Sequence, residues 1–130
     1  MLDASAALAR LAPDEMLPSS VVAAIESETI VVPALWPFEV ANALEVMRRR
    51  KRFDEPALAD AVVLLESLAP EIEMVSARRC WGAISGLARE QQLTVYDAAY
   101  LELAKRRRLP LATLDEALRE AACHAQVELA

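Results

Sequence analysis

Four acids of this 130-residue chain occupy positions where they could do chemistry: Asp3, Glu39, Asp97 and Asp115. Asp3 follows the first apolar residues and precedes an alanine-rich stretch, and Asp115 follows the apolar run Leu109 to Leu114 in the same way. Glu39 lies within Trp36-Pro37-Phe38-Glu39-Val40-Ala41, and Asp97 within Thr94-Val95-Tyr96-Asp97-Ala98-Ala99. Carboxylates held close together repel one another, a cost that only protonation or a cation offsets. Oxygen ligands without His or Cys select Mg²⁺ or Mn²⁺. Such ions typically serve phosphodiester hydrolysis, by acidifying a bound water and stabilising charge on the phosphate and the leaving oxygen. Each acid also has a plainer use. Asp97, three residues after Thr94, completes a capping box. Asp115 and Asp3 are suited to N-cap the helices that follow them. Glu39, apolar on both sides, has the weakest alternative.

Other catalytic groups are scarce. There is one histidine, His124, and two cysteines, Cys80 and Cys123, without CxxC spacing. A zinc site, a Cys–His pair and a Ser–His–Asp triad therefore fit poorly. Two glycines, Gly82 and Gly86, leave no P-loop and no GxGxxG turn. Fourteen Lys+Arg against twenty Asp+Glu give a net charge of −6. That balance counts against a simple electrostatic binder of nucleic acid. It is compatible with an enzyme that handles phosphate through a bound cation. No apolar run long enough to span a membrane and no basic-then-apolar leader is present, and the cysteines suit a reducing compartment, so a soluble cytoplasmic protein is expected.

The elements that must position the acids alternate between strand and helix. Met1-Leu2-Asp3 reads as the end of a short strand, with only two residues before Asp3. Ala4 to Ala12 reads as a helix, and Pro13-Asp14 opens another running to about Glu28. Thr29 to Val32 is β-branched and stops at Pro33, a strand. A helix over Trp36 to about Lys51 follows, with Val40, Ala43, Leu44 and Met47 on one face. Asp54 caps a helix ended by Pro70, and Glu71 to Val75 alternates as a strand. Ser76 caps a helix to Gln92, and Thr94 one to Arg107. Leu109 to Leu114 is a strand, Asp115 opens the last helix, and Val127 to Leu129 closes the chain as a strand. This alternation predicts one α/β domain over 1–130 with a parallel sheet. In such sheets ligands bind beyond the carboxyl ends of the strands, which is where Asp3 and Asp115 fall.

Four segments together carry a resemblance: Leu2-Asp3-Ala4-Ser5, the stretch Val32 to Leu44, Leu93 to Leu101, and Leu111-Ala112-Thr113-Leu114-Asp115. In this order and spacing the chain resembles PIN-domain proteins, and among them the VapC-type ribonuclease toxins of toxin–antitoxin pairs. The resemblance implies a three-layer α/β/α sandwich around a parallel sheet of strand order 3-2-1-4-5. It also implies a ligand set for Mg²⁺ or Mn²⁺ of Asp3 and Asp97, joined by Glu39 and completed by Asp115. Ser5 and Thr113 would be supporting hydroxyls and Asn42 a supporting amide. The implied activity is endonucleolytic RNA cleavage by metal-activated water, leaving 5′-phosphate and 3′-hydroxyl ends. The implied partners are a second copy of the chain in a homodimer and a VapB-like antitoxin, through which alone operator DNA is bound.

Two basic runs, Arg48-Arg49-Arg50-Lys51-Arg52 and Lys105-Arg106-Arg107-Arg108, each end an expected helix, where the macrodipole favours cations. They are also the candidates for contacts with RNA phosphates or an acidic antitoxin segment. Trp36 and Phe38 read as core or dimer packing ahead of base stacking. Trp81 and Cys80 sit on a helix, and His124 has no partner that would give it a role. Two other functions remain open on the residues alone. One is a PIN-fold binding module without activity, its metal site loosened by the short first strand. The other is a phosphatase-like hydrolase with Asp3 as nucleophile, against which Ser5 stands where a second Asp is usual.

Overall fold

The computed structural model describes residues 1–11, 16–27 and 29–130. Its elements are helix α1 (Ala4–Ala9), α2 (Ser19–Ile25), strand β1 (Val31–Pro33), α3 (Trp36–Arg49), α4 (Glu55–Ser67), strand β2 (Glu71–Glu73), α5 (Ala77–Arg79), α6 (Ser85–Gln91), α7 (Val95–Arg107) and α8 (Glu116–His124). The expected helix opening at Pro13-Asp14 begins, and its last residue Glu28 lies, outside the described residues; α2 is its described part.

β1 and β2 run parallel, with Val31 opposite Glu71, Val32 opposite Ile72 and Pro33 opposite Glu73. β1 is buried along its whole length, as an inner parallel strand with both faces covered must be. On its other side the backbone N–H of Leu2 donates to the Val31 carbonyl at 3.2 Å. Leu2 and Ala112 form a parallel bridge, tied by Asp3 N–H to the Ala112 carbonyl (3.0 Å) and Ala112 N–H to the Met1 carbonyl (2.9 Å). Leu111 and Leu129 form another. Among the described residues, then, regular strand is confined to β1 and β2, and the stretches expected as strands at 1–3, 109–114 and 127–129 pair through single bridges. The first two are cut short by their neighbours: Asp3 already caps α1, Pro110 has no N–H to give, and Thr113 turns the chain towards α8.

The helices start where their caps place them. Asp54 accepts from Ala57 N–H, Thr94 from Asp97 N–H and Asp115 from Leu118 N–H. The helix expected from Ser76 to Gln92 departs from uniformity. Between α5 and α6, residues Cys80–Ile84 widen into a π turn, and the Ser85 hydroxyl donates to the Cys80 carbonyl at 2.8 Å. Gln92 ends the stretch in the left-handed conformation, φ 55°.

α7 is the central helix, buried from Ala98 to Ala104. It packs on β1, α6 and α8, while α1 packs on α3. The core gathers Leu2, Val31, Val32, Trp36, Tyr100, Leu101, Leu111 and Leu118 around the short strands. Asp3 and Asp115 cap α1 and α8, while Glu39 and Asp97 lie in the first turns of α3 and α7, so all four acids stand at helix N-termini.

Candidate metal and nuclease site

Asp3 is 7% exposed, and its partners are supplied by two chain segments far apart in sequence. Its Oδ2 accepts from the Ser5 backbone N–H (3.3 Å), the Ser5 hydroxyl and the Thr113 hydroxyl (2.7 Å). The Ser5 hydroxyl in turn accepts from Leu114 N–H at 3.0 Å, and that of Thr113 from Asp115 N–H at 3.1 Å. Each hydroxyl thus has its proton directed at Asp3, because a backbone donor already occupies its lone pair. The parallel bridge at Leu2 and Ala112 is what brings these residues together.

Glu39 lies in the first turn of α3 and accepts from the hydroxyl of Tyr100, a fully buried residue of α7. Burial pushes the Glu39 carboxyl above its ordinary value. The Tyr100 hydrogen bond opposes that push, and the negative charges of Asp3 and Asp97 add to it. Tyr100 is held well above the usual phenolic range, first by burial, then by its bond to Glu39 and the charges of Glu39, Asp3 and Asp97. The charges of Asp3 and Asp97 thus both bear on Glu39 and Tyr100. Asp97 is half-buried in the first turn of α7, its Oδ2 accepting from the Thr94 hydroxyl.

Asp115 stands apart from this trio. It is exposed, its Oδ1 accepts from Leu118 N–H at 2.8 Å, and it does not figure among the charges acting on Glu39 or Tyr100. Its connection to Asp3 runs through the Thr113 hydroxyl. It also lines a shallow groove of about 390 Å³ with Ser5, Leu8, Met47, Leu114 and Arg52, the last residue of the first basic run. Asn42 is exposed, one helical turn beyond Glu39.

The two basic runs differ in what they face. Arg48 donates to Glu45 at 3.0 Å and Arg49 reaches the same carboxylate at 4.0 Å. Arg50, Lys51 and Arg52 make no ion pair among the described residues. In the second run, Arg106 and Arg107 both pair with Glu73, at 2.5 and 2.6 Å, and Arg107 also with Glu71 at 3.2 Å. Lys105 and Arg108 border a hollow with Leu109, Pro110 and Glu128 at the far end of α7, roughly 12–17 Å along the axis from Asp97.

The donor set suits a hard divalent cation. In each of Asp3, Glu39 and Asp97 one oxygen is fixed by a hydroxyl. The second oxygen has no hydrogen-bond donor among the described residues, and no arginine or lysine neutralises the trio. Among those residues the one buried side-chain polar atom left without a partner is Trp36 Nε1. The open carboxylate oxygens therefore retain access to solvent or an ion. No three acidic, histidine or cysteine side chains of the described residues are gathered tightly enough to enclose a metal by themselves. Tyr100, which the sequence reading passed over, is the residue whose hydroxyl holds Glu39, a contact between α7 and α3 that no local sequence pattern marks.

Comparison with known proteins agrees with this architecture. The PIN domain model matches residues 1–122. A solved structure, the crystal structure of PAE2754 from Pyrobaculum aerophilum, aligns with a TM-score of 0.68 at 26% sequence identity, over 92% of this chain and 76% of that one. A search of curated proteins gives no match.

Proposed function

The chain belongs to the PIN domain family, and on that premise we propose that it is the ribonuclease toxin of a VapBC-type toxin–antitoxin pair. PIN domains are generally nucleases and generally bind divalent metal. The observation that carries the reading is the trio Asp3, Glu39 and Asp97: the charges of Asp3 and Asp97 both bear on the Glu39 carboxyl, and all three acids are held by hydroxyls with no basic partner among the described residues. Nothing in protein stability rewards such an arrangement, and a cation would relieve it.

In this reading Asp3, Asp97 and Glu39 hold Mg²⁺ or Mn²⁺, with Asp115 completing the acidic quartet from the groove beside Ser5. The ion would supply charge stabilisation at the phosphate and a water acidic enough to attack it. Ser5 and Thr113 fix the Asp3 carboxylate so that its second oxygen faces outward, and Tyr100 does the same for Glu39. Asn42 offers an amide at the mouth. Arg52, which shares the groove with Asp115, would hold an RNA phosphate with Arg50 and Lys51 beside it; Arg48 and Arg49 flank them, already engaged with Glu45. Lys105, Arg106, Arg107 and Arg108 are the candidates for an acidic antitoxin segment. Cleavage leaves 5′-phosphate and 3′-hydroxyl ends. The rest of the reading is a single domain over 1–130, a homodimer in the cytoplasm, and operator DNA bound through the antitoxin. The continuous run of backbone bonds from β2 through β1, Leu2 and Ala112 to Leu129 supports the sheet order 3-2-1-4-5. No helix among the described residues is long and apolar enough to cross a membrane.

The test is cleavage of a structured RNA pool in Mn²⁺ or Mg²⁺, with Mn²⁺ binding followed separately by its electron paramagnetic resonance signal. The parent should cut only with metal, and Asp3→Asn and Asp97→Asn should lose both cutting and Mn²⁺. A parent that binds Mn²⁺ and cuts nothing would make the chain a binding module.

A further inference from the structure

Arg119 stands one helical turn after Asp115 in α8, the order of acid and base that favours an ion pair. It nevertheless pairs with no acid among the described residues, Asp115 included. Its half-buried guanidinium donates instead to the main-chain carbonyl of Thr113, Nη1 to O at 3.2 Å. A guanidinium has five N–H groups, and the others have no partner among the described residues. An arginine that bypasses a carboxylate for a neutral carbonyl leaves the acid charged and holds the backbone.

That carbonyl needs the donor. The Leu111 carbonyl accepts from Ala130 N–H at 3.0 Å and the Ala112 carbonyl from Asp3 N–H at 3.0 Å. Thr113 comes next, and no backbone N–H of the described residues reaches its carbonyl. Thr113 is 1% exposed, so water cannot serve in place of a protein donor. With Arg119 in place Thr113 is held at three points. Its hydroxyl donates to Asp3 (2.7 Å) and accepts from Asp115 N–H (3.1 Å), and its carbonyl accepts from Arg119. Two of the four acids depend on this one residue. We propose that Arg119 is a positioning residue of the candidate metal site, pinning the Thr113 carbonyl and so fixing the hydroxyl that orients Asp3. The inference rests on the metal-dependent reading above. It has a sign that charge alone does not reproduce. A guanidinium near a divalent ion repels it, so by charge alone its removal tightens the ion. Removing a contact that orients a ligand loosens it.

The experiment reads Mn²⁺ affinity by electron paramagnetic resonance and, without metal, hydrogen exchange at single amides by NMR. The variants are Arg119→Met, which keeps an apolar stem without donors, Arg119→Lys, Thr113→Val and the Arg119→Met, Thr113→Val double variant. Arg119→Met should bind Mn²⁺ about tenfold more weakly than the parent. Its Asp115 N–H should exchange about tenfold faster, while Ala112 N–H, bonded to the Met1 carbonyl, keeps its rate. Arg119→Lys, with a donor for the carbonyl, should restore both readings. On the Thr113→Val background, Arg119→Met should weaken Mn²⁺ by less than about twofold further. Tighter or unchanged Mn²⁺ binding in Arg119→Met would overturn the inference. Equal acceleration at Asp115 and Ala112 would do so too, as a general loosening. A full tenfold loss on the Thr113→Val background, or a lysine variant as weak as Arg119→Met, would also overturn it. Unchanged affinity with a raised KM for RNA would give Arg119 to the substrate instead. A parent that binds Mn²⁺ and cuts no RNA defeats the nuclease reading alone, and the variants still decide the role of Arg119. If the parent binds no Mn²⁺, the metal reading fails, and exchange at Asp115 decides by itself whether Arg119 holds Thr113. An unchanged rate there would overturn that as well.

Discussion

Two groups of carboxylates in this molecule are built from the same side chains and handled in opposite ways. Along β2 and the middle of α7, Glu71, Glu73 and Glu102 are each held by arginine: Glu102 by Arg79 at 2.6 Å and Arg106 at 3.0 Å, Glu73 by Arg106 and Arg107, and Glu71 by Arg107. This network ties the edge strand and α5 to the central helix, and within it Glu102 can be buried to 8% exposure. At the first turns of α1, α3 and α7, by contrast, Asp3, Glu39 and Asp97 have hydroxyl partners and no cation among the described residues. A hydroxyl orients a carboxylate without cancelling its charge. The first group is neutralised from within, and the second is oriented by hydroxyls and left without a cation among the described residues.

The contrast breaks most visibly in activity. Asp97→Asn should lower metal-dependent RNA cleavage at least 100-fold, measured as kcat/KM in Mn²⁺, while the thermal midpoint without metal stays level or rises, since a repelling charge has gone. Glu102→Gln should do the reverse. It leaves two arginines facing an uncharged amide and should cost about 2 kcal/mol in urea unfolding, less than for a fully dry pair because both arginines are partly exposed, with the Mn²⁺ affinity retained. A Glu102 variant as stable as the parent would show that the network does not anchor α7.

Tyr100→Phe comes next. It removes one hydrogen bond to a carboxylate at a fully buried position and should cost about 1.5 kcal/mol of stability. Because that bond lowers the Glu39 pKa, its loss should raise the carboxyl further and demand more Mn²⁺ for half-maximal activity at neutral pH. Unchanged metal demand would reduce Tyr100 to a packing residue.

Glu39 also sets a pH dependence. Its folded carboxyl titrates above the ordinary value of 4.5, so the folded chain holds the proton more tightly than the unfolded one. Stability contributed there is full below 4.5 and is lost as pH rises through the raised value. Glu39→Gln keeps an acceptor for Tyr100 but cannot ionise. Relative to the parent it should gain stability as pH rises from 4.5, with no gain below, in a series of thermal melts without metal. The smallest effect belongs to Glu71→Gln: its pair with Arg107 is half in solvent, and its loss should change stability by less than about 0.5 kcal/mol.

The site was legible in the sequence unevenly. Asp3, Glu39 and Asp97 were identifiable because each stood against apolar or helix-starting neighbours, and in the structure the charges of Asp3 and Asp97 both bear on Glu39. Asp115 was chosen on the same grounds, and its cap role is what the geometry displays first, with its link to Asp3 passing through Thr113. The arginines of Lys105 to Arg108 could not be divided by inspection. A run of four cations looks uniform in a sequence, yet Arg106 and Arg107 meet Glu73 across a 34-residue separation in one of those pairs, and Lys105 and Arg108 meet none of the described acids. Tyr100 was invisible for a related reason: its hydroxyl matters only because α3 presents Glu39 to it. The strand readings at 109–114 and 127–129 captured pairing but exceeded its extent, since propensity does not register where a cap or Pro110 stops a ladder.

What the sequence by itself determined were the local choices. Caps at Asp54, Thr94 and Asp115 start helices through bonds to N–H groups three residues on, β-branched residues extend at Val31 and Val32, and the near absence of His and Gly leaves oxygen ligands as the available chemistry. Those interactions span a few residues and leave a mark in spacing. The tertiary structure alone decided which carboxylates would be paired and which left open. That outcome depends on Leu2 bridging to Ala112 and on α3 meeting α7, contacts between segments 61 to 110 residues apart whose energies have no counterpart in local pattern.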